Sequence, residues 1–355
     1  MKNDYLWDRS GEPEPEIQKL EAKLGKFRHD AVPPVFPVMT PQVDADSAPS
    51  SIFRRPRFMA LAAAAVIMIV ALGILKWRVK PTPREPSMWA VTQFSGGPSI
   101  GSHPLGKNDK TTGLAVGQWL ETDGKSSATI AANPIGEVNV EPNTRVRVLA
   151  TSTSWQQLAL ERGTIHAFIW APPGQFAVDT PSARAIDLGC AYTLHVDDAG
   201  AGLLRTTMGW VGFRLKDHES FIPAGAVCAT RPRTGPGTPY FEDAAEPFRV
   251  ALSAFDFAAL TPDERRAQLD VILKQARKRD ALTIWHLLAR TSGTDRERVY
   301  EHLNSLVPPQ GVTKEGALRL DQAMLDSWWS QLGYGDISLW RTFERSWAET
   351  ETRTK

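Results

Sequence analysis

The sequence predicts a multidomain chain: one transmembrane helix, then an all-β domain built as an antiparallel sandwich or roll, then a small all-α C-terminal domain. Three observations predict it. The uncharged run Phe58–Leu75 is apolar throughout and has basic residues on both sides. From Trp89 to about Ala229, apolar and polar residues alternate in short runs separated by turn residues. Beyond about residue 245 the apolar spacing becomes helical.

The run Phe58–Leu75 reads FMALAAAAVIMIVALGIL, with no proline and one glycine. As a helix it reaches about 27 Å, close to the ~30 Å hydrocarbon core of a bilayer. A helix also satisfies every backbone polar group internally, as lipid demands. A buried core helix would normally show a polar face, and a signal peptide begins near the N-terminus, whereas 57 residues precede this run. Arg54, Arg55 and Arg57 precede it; Lys76, Arg78, Lys80 and Arg84 follow. Basic residues on both sides leave the positive-inside rule silent about direction.

The 355 residues carry a net charge of +1, with 23% charged and 42% hydrophobic residues. That balance suits a folded protein and lacks the basic footprint of nucleic-acid binding, so no nucleic-acid partner is expected. The two cysteines, Cys190 and Cys228, lie beyond the apolar run. In an oxidising compartment they could pair and stabilise the domain by about 3–4 kcal/mol. Equally, they could be two small buried hydrophobes.

Residues 1–30 are expected to form a short helical segment, because Ile17, Leu20, Leu24 and Phe27 repeat at helical spacing behind Glu14 and Glu16. Residues 31–57 form a Pro-rich linker, with five prolines from Pro33 to Pro49. Residues 76–88 form a spacer containing Pro81, Pro83 and Pro86.

In the β region, 89–230, the alternating sets are Val138 and Val140; Val146 and Val148; Leu158 and Leu160; Ile165, Ala167 and Ile169; Phe176 and Val178; Tyr192, Leu194 and Val196; and Val211, Phe213 and Leu215. Separators such as Pro142-Asn143, Glu161-Arg162-Gly163 and Pro172-Pro173-Gly174 divide them. Residues 231–245, beginning RPRTGPGTP, read as a further linker. In 246–350, Thr261-Pro262-Asp263-Glu264 is a capping box opening a helix to about Arg279. A helix follows over Ala281–Thr291. Thr294-Asp295-Arg296-Glu297 reads as a second box opening a helix through Leu306, and a last helix spans about Leu318–Leu332.

No catalytic constellation emerges, and no cofactor or metal is expected. Gly101–Asn108 imitates a phosphate loop but ends in Asn, without the hydroxyl that holds Mg²⁺. None of the seven His has another His or Cys at metal-ligand spacing, and His195 is out of phase with Tyr192, Leu194 and Val196. Asp179 and Asp187 could act as an acid–base pair only by facing one cleft, and each sits beside a turn. Trp285, Trp328, Trp329, Trp340 and Trp347 fit interhelix packing better than a ligand shelf.

Some of these segments carry a family pattern. They include Gly117–Asp123, Ile135–Val140, Phe176–Pro181, Ala185–Gly189, Gly209-Trp210-Val211 and Pro223-Ala224-Gly225. Their order over Gly113–Gly225 resembles the FecR domain of bacterial envelope sensors. The motif residues are Asp179, Thr180, Pro181, Leu188, Gly189, Gly209, Val211 and Gly225, and their residue types suit structure rather than catalysis.

The resemblance implies a bacterial inner-membrane protein, not an enzyme, with a cytoplasmic N-terminus and periplasmic C-terminal domains. It implies a periplasmic or outer-membrane protein partner and regulation of an extracytoplasmic-function sigma factor through residues 1–30. The segment before the span is short for that family and lacks a His/Cys zinc motif. The alternative expectation is an envelope-anchored binding or scaffold protein, for polysaccharide or protein, without a sigma-factor role.

Overall fold

A computed structural model of the chain describes residues 89–337, except 107, 108, 110, 133, 153, 217 and 336, together with 15 and 17–19. Residues 15 and 17–19 are helical, within the expected N-terminal helix. The apolar run Phe58–Leu75, the linker 31–57, the spacer 76–88, Trp340 and Trp347 lie outside the described residues. No helix among the described residues is long and apolar enough to cross a membrane.

From residue 89 onward everything described belongs to one unit, Arg78–Lys355. Its strands begin with β1 (Trp89–Ser95), β2 (Ser99–Ile100), β3 (His103–Pro104), β4 (Thr112–Leu114), β5 (Trp119–Glu121) and β6 (Ser127–Ala132). They continue with β7 (Gly136–Val140), β8 (Arg145–Thr151), β9 (Gln156–Ile169), β10 (Phe176–Asp179), β11 (Arg184–Asp187) and β12 (Ala191–Val196). The last are β13 (Gly202–Met208), β14 (Trp210–Leu215), β15 (His218–Pro223), β16 (Ala226–Arg231), β17 (Gly235–Pro236) and β18 (Tyr240–Phe241).

Two sheets share β9. The first runs β4-β1-β6-β7-β9-β12-β13-β16, with β17 and β18 both on the outer edge of β16. The second runs β3-β2-β5-β8-β9-β10-β11-β14-β15. All pairings are antiparallel except β9–β10. Alternation fixes the inward faces: in β7, Val138 and Val140 are buried while Glu137 and Asn139 face out. The buried faces of both sheets and the helices contribute to one apolar core.

The stretch Glu161-Arg162-Gly163 does not separate two strands. It is the bend at which one strand of 14 residues leaves the second sheet and joins the first. Gly163 holds φ +93° there, packed against Thr144. Two short strands, β17 and β18, occupy the stretch expected to be a linker, because the backbone of β16 would otherwise present an unpaired edge.

Among the described residues six α-helices follow: α1 (Glu246–Phe257), α2 (Pro262–Gln275), α3 (Ala281–Arg290), α4 (Gly293–Leu306), α5 (Lys314–Leu318) and α6 (Gln322–Gln331). The first capping box is formed: Glu264 N donates to Thr261 Oγ1, and Thr261 N donates to Glu264 Oε2. The helix behind it stops at Gln275, and a 3₁₀ turn over Lys278–Asp280 leads into α3. The second box is not formed. Thr294 already lies inside α4, whose N-cap Ser292 makes no side-chain cap bond. In that first turn Arg296 instead donates to the Leu288 and Thr291 carbonyls at the end of α3. The expected last helix, about Leu318–Leu332, is α6 and begins only at Gln322, because Leu318 is the last residue of the short α5. Leu320 adopts φ +60° between the two helices, and Asp321 caps α6 through Met324 N.

Candidate functional site

The helices meet the sheets at the β14–β15 hairpin. Both of its strands are buried over several consecutive residues, because helices cover the face that a one-sided sheet would expose to water. Phe221 N donates to His286 Nε2 at 3.0 Å, and His286 Nδ1 donates to the Leu282 carbonyl at 2.8 Å. The ring is therefore the neutral tautomer with its proton on Nδ1. Aromatic rings enclose this contact: Trp329 lies 5.4 Å from Phe221 and 5.0 Å from Trp285, centroid to centroid. Trp285, Trp328 and Trp329 are buried and belong to the packing, not to a ligand shelf.

One helical turn further along, Arg290 ties the same elements together. Its guanidinium donates to Ser220 Oγ at 2.8 Å, to the Gly237 carbonyl at 3.0 Å and to the Pro236 carbonyl at 3.1 Å. It lies 3.7 Å from Asp256 Oδ1. Asp256 also accepts from Thr238 N at 2.6 Å and Thr238 Oγ1 at 2.9 Å. Burial pushes the Asp256 carboxyl above its ordinary range, and Arg290 and Thr238 oppose that push.

Beside this junction opens a cleft of about 360 Å³, lined by His218, Glu219, Thr234, Asp256, Arg265 and Arg290 among others. Its two guanidinium groups are already engaged: Arg290 as above, and Arg265 with the Phe255 carbonyl at 2.8 Å and over the Phe255 ring. The cleft is a concave mixed-charge surface whose cations hold protein acceptors. Recognition by shape fits it better than anion capture.

The acid–base pair does not assemble. On β10 and β11, Asp179 pairs with Arg184, while Asp187 lies three residues beyond Arg184 and so on the opposite face. Asp179 accepts from Arg184 Nε at 2.6 Å and Gln157 Nε2 at 2.7 Å. Asp187 is buried and accepts from Gly189 N at 2.7 Å and from the Cys190 thiol.

The cysteines do not pair; both are free and buried. Cys228 stands opposite Leu204, which stands opposite Leu194, four residues along the chain from Cys190. That offset is about 13 Å along the strands, beyond the ~7 Å Cα separation a disulfide tolerates. Burial pushes the Cys228 thiol up to about 12, and burial with Asp187 pushes Cys190 well above its ordinary value, so neither is a ready nucleophile.

The remaining motif residues hold turns. Thr180 Oγ1 donates to the Ala183 carbonyl and accepts from Ala183 N, closing the β10–β11 turn around Pro181. Gly209 lies against Gly189, and its carbonyl accepts from Ala224 N at 2.9 Å. Gly225 N donates to the Thr206 carbonyl. Leu188 and Val211 are buried in the core. The phosphate-loop imitation runs through the turn between β2 and β3, and strand β4 follows it rather than a helix. His195 is exposed and bonds Thr164 Oγ1. Among the described residues, no group of three His, Cys, Asp or Glu side chains could hold a metal ion.

Two buried groups give opposite pH dependences. Burial lowers His286 to about 3, so the unfolded chain takes up a proton first, and stability falls as pH drops below about 6.5. Burial raises Asp187 to about 7, so stability from that group is full below about pH 3.8 and is lost as pH rises towards 7. Between about pH 4 and 6.5 the two slopes oppose each other, each about 1.4 kcal/mol per pH unit. Asp187→Asn removes one of them. Compared with the parent, its unfolding free energy should fall about 1.4 kcal/mol more for each unit of acidification from pH 6.5 to 4.5. Parallel pH curves for the two proteins would refute this assignment.

The chain matches no protein-family model and no curated protein. Among solved structures, it is similar to two crystal structures of a "putative anti-sigma factor" from Parabacteroides distasonis ATCC 8503. One match has a TM-score of 0.31 at 16% identity, covering 38% of this chain and 63% of that chain. The other has a TM-score of 0.30 at 16% identity, covering 37% and 61%. The chain thus spans less than two thirds of the length of the proteins it matches, and a likeness of this degree carries no argument about its function.

Proposed function

We propose that the chain is a single-pass envelope signalling protein of FecR-like type. Residues 58–75 cross the inner membrane, the N-terminal segment faces the cytoplasm, and the body beyond residue 89 binds a protein partner in the periplasm. The partner of the cytoplasmic segment is an extracytoplasmic-function sigma factor, contacted through the apolar stripe Ile17–Phe27.

The observation that carries this reading is the junction. His286 and Arg290 bind α3 to the β14–β15 hairpin and to β17, so the sheets and α3 form one body. Asp179, Asp187 and Asp256 are buried or paired and both thiols are buried, which suits binding rather than catalysis. With a single span, a signal passes as a change of occupancy, of oligomeric state or of proteolytic cleavage.

Co-purification of the full chain from membranes, with and without residues 1–30, tests the proposal. A sigma factor recovered only with the complete chain supports it. Identical cytoplasmic partners in both preparations refute it, and retention of both proteins on cell-wall material would favour an anchored scaffold.

A further inference from the structure

Among the described residues, four of the seven exposed large apolar side chains, Val116, Phe168, Trp170 and Met208, lie at one end of the first sheet; Leu203, Val250 and Val271 lie elsewhere. A single row of partners crosses that end: Ala90 opposite Ala131, then Glu137, Phe168, Ala191 and Met208. In that row Phe168 is 45% exposed and Met208 50%. Trp170, 57% exposed, lies just past the end of β9 in the same direction. Val116, 52% exposed, lies two residues beyond Leu114, the partner of Trp89. Trp170 packs edge-on against Phe168 at 5.6 Å and donates its ring N–H to the Pro134 carbonyl at 2.7 Å. The polar atom of that indole is satisfied within the protein while much of its apolar surface meets solvent.

This is also the end at which β1 begins. Trp89 is separated from Leu75, the last residue of the apolar run, by 13 residues, 76–88. Even fully extended, they reach no more than about 45 Å. Aromatic and long apolar side chains collected where a chain emerges from a span suit the interfacial layer of a bilayer, which receives amphipathic rings at headgroup depth.

We propose that this edge rests on the membrane surface, with Val116, Phe168, Trp170 and Met208 entering the lipid interface. The inference rests on reading 58–75 as a span. It adds that the body is held at the bilayer in a fixed orientation rather than carried on a free tether.

The full chain, reconstituted in phosphatidylethanolamine–phosphatidylglycerol vesicles, is labelled with an environment-sensitive fluorophore at Val116→Cys, Met208→Cys or, as control, Val250→Cys on α1. The buried Cys190 and Cys228 stay in place, and the unsubstituted chain sets the background label. Headgroup-depth spin-labelled lipid should quench positions 116 and 208 and leave 250 unquenched, with blue-shifted emission only at the first two.

If the chain withstands an alkaline wash but all three positions behave alike, the edge is free in water and the inference fails while the span stands. If positions 116 and 208 are shielded from iodide yet not quenched by lipid, a protein covers the edge, and the inference also fails. If the alkaline wash releases the chain, the span reading itself fails.

Discussion

Replacing Arg290 by Met is expected to destabilise the body by about 3–5 kcal/mol, the range for removing one partner of a buried ion pair. The side chain of Asp256 is 4% exposed, so the substitution leaves a carboxylate with a counter-charge no longer beside it. It also removes the donor to the Gly237 and Pro236 carbonyls and to Ser220 Oγ. Urea unfolding of the full chain, followed by tryptophan emission, measures the loss, since Trp285 and Trp329 sit at the junction. Adding Asp256→Asn to the variant should recover part of the loss, because a neutral amide is cheaper to bury alone than a carboxylate. A loss below about 1 kcal/mol would mean that Arg290 does not hold the junction.

Gly209→Ala should cost about 2–4 kcal/mol, from two separable terms. Gly209 adopts φ +66°, and a Cβ there would stand 2.1 Å from the Gly189 carbonyl oxygen. Its neighbour in space provides the control. Gly189 adopts φ +85°, but a Cβ there meets nothing within 4 Å, so Gly189→Ala should cost only the left-handed term, about 1–2 kcal/mol. Thermal unfolding of the two variants separates backbone conformation from close approach. Equal losses would show that the contact between the two turns is not what requires glycine at 209.

Strands with one wet face were legible in the sequence. β7, β8 and β12 alternate as a half-buried sheet must, and their inward valines and leucines mark them. β15 and β16 escaped that signal because helices and neighbouring strands bury consecutive residues, leaving no period of two. β13 escaped for another reason: its inward positions include Gly202 and Thr206, which do not read as apolar. Glu161-Arg162-Gly163 looked like a turn because turn chemistry and a strand bend both favour glycine at positive φ.

The junction was legible only in part. A capping box is local and could be read from Thr261-Pro262-Asp263-Glu264. Phe221, Ser220, Pro236 and Gly237, which His286 and Arg290 bind, lie 53 to 70 residues away along the chain, where local spacing carries no signal. The turn-holding motif residues were recognisable because glycine, proline and threonine at turns obey backbone sterics.

The proposed function requires a single span to divide a cytoplasmic segment from one periplasmic body. Protease protection of the tagged full chain in intact spheroplasts tests it most directly. Added protease should remove a C-terminal tag and leave an N-terminal tag on a membrane-bound fragment until the spheroplasts are lysed. Survival of the C-terminal tag with loss of the N-terminal one, or protection of both tags, would contradict the claim.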